Sequence, residues 1–203
     1  MQQGRFITFE GIDGAGKTTQ IDALEAWLVS TGREVVHTRE PGGTPLGEKI
    51  RAMLLNDDMD VTAETLLFFA SRAEHIARVI VPALARGAWV LSDRFTDATY
   101  AYQVGGMGFD PAKVEALEAL VQGSLQPFRT ILFDIAPEEA ARRLAKARAA
   151  DRFERESCDF FTRVREAYLH RAERSPERFV ILDAAQSPQA ITEELLAKAR
   201  QGI

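Results

Sequence analysis

An apolar run, Phe6–Glu10, passes straight into Gly11-Ile12-Asp13-Gly14-Ala15-Gly16-Lys17-Thr18, the pattern G-x-x-x-x-G-K-T. A strand that ends in such a loop and continues as a helix is the phosphate-binding arrangement of P-loop nucleotide-binding proteins. Gly14, Ala15 and Gly16 are small enough for the backbone to curl and point its N–H groups at phosphate oxygens. Lys17 has the length to reach β- and γ-phosphates, and the Thr18 hydroxyl suits Mg²⁺. The helix that begins at Lys17 adds the partial positive charge of its N-terminus. A glycine-rich turn that binds nothing is the plain alternative, but it leaves the Lys-Thr pair in register between strand and helix without a reason.

Four more short apolar runs read as buried strands: Glu34–Thr38, Trp89–Asp93, Thr130–Ile135 and Phe179–Asp183. They are mostly not alternating, as strands covered on both faces should be. Segments of helical period separate them. Thr18–Ser30 sets Ile21, Leu24 and Leu28 on one face, and Val61–Arg86 aligns Leu66, Ala70, Ala73 and Ala77, with Pro82 near its end. Asp110–Val121, Pro137–Arg148, Asp159–Arg174 and Pro188–Arg200 complete the helices, several opening on an acid or a proline. Alternation of this kind predicts an α/β fold, a doubly wound parallel five-stranded sheet with helices on both faces, in which ligands sit beyond the carboxyl ends of the strands. Residues 1–203 read as one domain.

The net charge of −5 argues against general nucleic-acid binding, and no apolar run reaches the roughly 18 residues of a membrane span. One cysteine, Cys158, and three histidines offer no zinc spacing. The opening Met-Gln-Gln-Gly-Arg lacks a secretory pattern, so the cytoplasm is the expected location.

Among P-loop proteins, a small GTPase would carry N-K-x-D, which is absent here, and a motor ATPase would be longer. A small-metabolite kinase remains, and it needs an acceptor pocket and a basic flap. Arg142, Arg143, Lys146, Arg148, Arg152 and Arg155 lie in one short stretch against Asp151 and Glu154. By charge alone this is a solvated helix face. Phosphoryl transfer gives it another use, as a lid over about 142–155, because arginines can neutralise the transferring group and Ile12–Ala15 contains none. Asp93 ends a strand where an acid can assist Mg²⁺, though Asp134 and Asp183 end strands too. Phe68 and Arg72 share a helix face, where a ring and a guanidinium would suit a flat base. Spacing alone favours the plainer reading, a core phenylalanine and a surface arginine.

Phe-Glu-Gly-Ile-Asp-Gly-Ala-Gly-Lys-Thr-Thr, Thr-Arg-Glu-Pro-Gly-Gly-Thr, Leu-Leu-Phe-Phe-Ala-Ser-Arg, Ser-Asp-Arg-Phe and Asp-Arg-Phe-Glu follow one another in that order. Together they resemble bacterial thymidylate kinases from the first strand to Asp183-Ala184. The resemblance implies a homodimer that converts dTMP to dTDP with ATP and Mg²⁺, binding neither nucleic acid nor membrane. It assigns ATP to Gly11, Asp13, Gly14, Ala15, Gly16, Lys17, Thr18 and Thr19, with Arg143 and the Ala184–Gln186 turn (Gln186 in particular) beside adenine, and Mg²⁺ to Thr18 and Asp93. It sets Phe68 against thymine, Arg72 on the base edge, Thr99 and Gln103 along the base, and Pro41 in the loop that frames it. Tyr102 falls beside the sugar and Asp13 at the 3′-hydroxyl, while Arg51 and Arg94 hold the acceptor phosphate. Lys17, Arg94 and the lid arginine Arg152, helped by Arg148, would surround the transferring group. Two features depart from the pattern: Phe95 stands where tyrosine or histidine is common, and the lid lacks its usual glycine.

Such a reaction needs no general base, since a phosphate monoester with a second pKa near 6 is already a nucleophile at pH 7. A deoxynucleoside kinase would need a carboxylate base, for which Glu10 or Asp13 stands near. A P-loop switch would hydrolyse ATP without an acceptor.

Overall fold

The computed structural model describes residues 4–144, 152–153 and 156–203. Five strands, β1 (Phe6–Glu10), β2 (Val35–Arg39), β3 (Trp89–Asp93), β4 (Arg129–Asp134) and β5 (Phe179–Asp183), form one parallel sheet in the order β2-β3-β1-β4-β5. The boundaries of β2 and β4 lie one residue from those expected. Side chains alternate across the sheet. Ile7, Phe9 and Leu91 join the core with Ile21, Leu24 and Leu28 of α1 (Lys17–Ser30), while Phe6 and Val90 meet Ile76, Ile80 and Phe95 in another. Because β1 sits in the middle, flanked by β3 and β4, the loop leaving its carboxyl end opens into the crevice where ligands of such sheets bind.

Two elements were not visible in the apolar pattern. After β2 the chain turns through Glu40–Gly43 into α2 (Pro45–Asn56), whose proline and glycine resemble a turn. Thr44 caps this helix, its hydroxyl accepting from Gly47 N at 2.9 Å, and Pro45 occupies the first turn, where a missing N–H costs nothing. After β3, α5 (Thr96–Thr99) continues as a π-helical segment, Tyr100–Gly106. That segment packs on α8 (Cys158–Arg174).

The long helix expected over Val61–Arg86 is three pieces: α3 (Val61–His75), a π-helical stretch Ile76–Ile80, and α4 (Val81–Ala85), which holds Pro82 in its first turn. Its orientation reverses the expected one. Leu66, Ala70, Ala73 and Ala77 are exposed, whereas Glu64, Thr65, Phe69, Ser71, Arg72 and His75 are buried. The inward side of α3 meets buried polar partners, Glu40 with Arg72 and His75 and Gln103 with Glu64, so its buried face is the polar one. The remaining helices, α6 (Pro111–Gln122), α7 (Pro137–Leu144) and α9 (Pro188–Arg200), match their predicted spans closely. The expected extent of this helix beyond Leu144, to Arg148, falls outside the described residues.

Candidate active site

The loop after β1 bends through Gly14 and Gly16, both with φ near +85°. At Gly14 a side chain would be blocked outright, since a Cβ there would come within 2.5 Å of the Ala140 carbonyl. Among the described residues no side chain caps α1, and no acid stands in its first turn, so its first N–H groups suit an anion. Lys17 is buried, and its Nζ donates to the carbonyls of Gly11 and Ile12 at 3.2 and 3.3 Å. Burial and the nearby Arg94 cation lower its pKa. Asp13, Gly14, Gly16, Lys17, Thr18 and Thr19 face a wide cleft with Asp93, Arg94, Arg143 and Gln186. Arg143 donates to the Ala184 carbonyl at 2.8 Å, tying α7 to the turn after β5. Gly11 and Ala15, in the same loop, are buried.

Arg94 joins this cleft to a second cavity. Its backbone is left-handed (φ 71°), a costly state for a residue with a Cβ. The side chain holds it there: Nη1 donates to Tyr168 Oη at 3.0 Å, and Nη2 donates to Asp13 Oδ1 at 2.8 Å and Tyr102 Oη at 3.0 Å. Burial would raise the Asp13 pKa, but the Arg94 and Lys17 cations, with hydrogen bonds from Tyr102 and Arg94, bring it down to about 2. Glu10, wholly buried, accepts from Phe95 N at 2.7 Å and Tyr168 Oη at 2.8 Å. Burial and the Asp97 carboxylate push its pKa up to about 8. Asp93 Oδ1 is buried and has no partner among the described residues.

The second cavity encloses about 580 Å³, its open mouth included. Asp13, Pro41, Arg51, Phe68, Arg72, Arg94, Thr99, Tyr102 and Gln103, all expected at an acceptor, line it together. Leu55, Ala98 and Phe153 complete the apolar wall. Asp13, Glu40, Arg51 and Arg94 border both cavities, so a ligand in one can touch a ligand in the other. Arg51 donates to the Pro41 carbonyl at 3.0 Å. Arg72 is not the surface residue that spacing allowed but is 1% exposed, donating to Glu40, the Phe95 carbonyl and Thr99. Gln103 donates from Nε2 to Glu64 at 2.8 Å. Phe95 packs edge-on against Phe6 at 4.9 Å and lies under the Arg72 guanidinium at 5.3 Å, so its ring joins the core to the cavity wall while its backbone bonds Arg72 and Glu10.

Arg152 stands apart from the P-loop cleft. It pairs with Glu64, donates to the Leu54 carbonyl at 3.2 Å and stacks on Phe153. Phe153 in turn leans on Phe68 and Tyr102. Arg148 lies outside the described residues. Sequence reasoning passed over Glu40, Glu64 and Tyr168. Glu40 falls in the Thr-Arg-Glu-Pro motif and could have been found there, but Glu64 and Tyr168 sit in ordinary helical sequence and carry no local signal.

The family model described as Thymidylate kinase matches residues 9–195. A thymidylate kinase of Burkholderia vietnamiensis is 60% identical over 191 residues, covering 92% of this chain and 93% of that one. One from Methylobacillus flagellatus is 57% identical over 199 residues, covering 98% of each. The crystal structure of thymidylate kinase from Ehrlichia chaffeensis superposes with a TM-score of 0.79 at 33% identity, over 97% of this chain and 99% of that one.

Proposed function

The chain belongs to the thymidylate kinase family, and on that premise we propose how its two adjoining cavities phosphorylate dTMP with ATP. The observation that carries the reading is the shared wall of Asp13, Glu40, Arg51 and Arg94, which joins an apolar, base-sized cavity to the P-loop cleft. In this reading the triphosphate lies on the loop from Gly11 to Thr19 with adenine toward Arg143 and Gln186. Thymine lies between Phe68 and the Pro41 loop, its edge on Arg72, Thr99 and Gln103. The sugar meets Tyr102 and Asp13, and the acceptor phosphate meets Arg51 and Arg94. Transfer is in line and needs no base, because the acceptor phosphate is ionised at pH 7. Lys17 and Arg94 neutralise the moving charge, and Arg152 joins them once it leaves Glu64, with Arg148 as its helper.

The unpartnered, buried Oδ1 of Asp93 in the donor cleft supports a cation there, held by Asp93 and the Thr18 hydroxyl. Bound Mg²⁺ would supply neutralisation of the ATP phosphates. A hydroxyl acceptor is disfavoured: Asp13 at a pKa of about 2 is a feeble base, and Glu10 is committed to Phe95 N and Tyr168. A homodimer is supported by the exposed apolar side of α3. No helix among the described residues is long and apolar enough to cross a membrane, in keeping with a cytoplasmic location.

ADP production should be followed with MgATP and dTMP, dUMP, dCMP, dGMP, thymidine or no acceptor. A strong signal with dTMP, a weaker one with dUMP and none with thymidine is expected. Activity on thymidine, or ADP release without any acceptor, would overturn the acceptor assignment.

A further inference from the structure

Resting on that acceptor reading, we propose that Glu40 and His75 are positioning residues that aim the Arg72 guanidinium, and that this brace makes the cavity prefer a base edge bearing a carbonyl over one bearing an amine. Glu40 and His75 are buried to the same degree as Arg72, at 4%, 0% and 1% exposure. Glu40 Oε2 accepts from Arg72 Nε at 2.7 Å, and Oε1 accepts from His75 Nδ1 at 2.9 Å. A carboxylate oxygen only accepts, so Nδ1 carries a hydrogen and donates it; Nε2 is hydrogen-bonded to the Thr38 hydroxyl at 2.7 Å. The relay therefore runs from β2 through His75 and Glu40 to the cavity wall. Arg72 Nη2 donates to the Phe95 carbonyl at 3.2 Å and to Thr99 Oγ1 at 3.1 Å. Nη1 is the guanidinium nitrogen that remains, buried and without a partner among the described residues.

A guanidinium donates and never accepts. With Nε and Nη2 pinned, Nη1 can be satisfied by a ring carbonyl oxygen, whereas an exocyclic amine would set donor against donor and leave both unpaired. Leaving a buried donor unpaired is the stronger form of discrimination, larger than the effect of one methyl group. Its size depends on Arg72 being unable to turn away. Without Glu40, or with Glu40 free to rotate, Arg72 can accommodate either edge.

The test compares wild type, Glu40→Gln, His75→Ala, His75→Asn, Arg72→Ala and Glu40→Gln combined with Arg72→Ala. Each is read for kcat and KM with dTMP, and for the inhibition constant of dCMP against dTMP. Glu40→Gln and His75→Ala are expected to raise KM for dTMP roughly 10–100-fold with kcat within a few-fold, and to shrink the dTMP-over-dCMP preference about as much. His75→Asn keeps an N–H near the Nδ1 position and should retain most of the preference. The combined variant should be no worse than Arg72→Ala alone. A preference unchanged in Glu40→Gln, or losses that add in the combined variant, would overturn the proposal. If Glu40→Gln does not fold, equal preferences in His75→Ala and His75→Asn would overturn it. Failure of wild type to phosphorylate dTMP would instead strike the acceptor reading, and it would be seen before any variant is measured.

Discussion

Arg94 and Arg152 are both expected at the transferring phosphoryl group, yet their surroundings differ. Arg94 is fixed by Asp13, Tyr102 and Tyr168, while Arg152 rests on Glu64, away from the residues that line the P-loop cleft. A fixed arginine contributes to binding and chemistry together, whereas one that must swing in contributes chiefly at the transition state. Arg152→Ala should therefore lower kcat by on the order of 10³ and leave KM for dTMP within a few-fold, as steady-state kinetics would reveal. An unchanged kcat would remove Arg152 from the mechanism. Glu10 bears on stability instead. Its carboxyl titrates near 4.5 when unfolded and at about 8 in the fold, raised by burial and by Asp97. Between those values the folded molecule keeps a proton that the unfolded chain has released. Stability is thus full below about pH 4.5 and is lost progressively as pH rises to about 8. Glu10→Gln removes the titration. Denaturant unfolding at about pH 5 and pH 8.5 should show wild type losing a few kcal/mol relative to the variant. Parallel changes in the two proteins would contradict the assigned shift.

At the scale of elements, α2 rests on its cap. Thr44→Ala removes the acceptor for Gly47 N and should cost about 1 kcal/mol, a fall in Tm of roughly 2–4 °C for a chain of this size. Because α2 carries Arg51 to the cavity, KM for dTMP should rise in the same variant; a lowered Tm with unaltered KM would separate the helix from the site. The sheet, the P-loop and most helices were legible because each obeys a local period or a short motif. The helix α2 was hidden behind Pro45 and Gly47, which read as turn residues until Thr44 is seen capping them. The π-helical segment Tyr100–Gly106 has no simple period, and Tyr102 and Gln103 could be assigned only through family resemblance. The individual cavity residues were recovered from motifs, but the carboxylates behind them were not. Glu40 and Glu64 act on partners 32 and 39 positions away in the chain, a distance over which sequence has no period to read.

For the molecule as a whole, the reversed polarity of α3 is the informative error. Periodicity located the face of Leu66, Ala70, Ala73 and Ala77 correctly as apolar, but the interior is not what covers it. The polar side of the helix is turned inward, where Arg72 and His75 bond Glu40 beside the cavity. The apolar side is therefore left outside, with Val81 at 48% exposure further along the chain, and α2, which packs against α3, exposes Leu46 and Met53. A second copy of the chain related by a twofold axis would cover the same surface on both partners. Sedimentation of wild type should give twice the chain mass, and its Tm should rise with protein concentration. Leu66→Glu introduces a charge at the middle of that face and should yield a monomer whose Tm no longer depends on concentration. Since Leu66 points away from the cavity, dTMP should still be phosphorylated unless the partner steadies α3 and so Arg72. In that case KM for dTMP would rise more than kcat falls. A wild type that sediments as a monomer at every concentration, or a Leu66→Glu variant that stays dimeric, would end the assignment of this face.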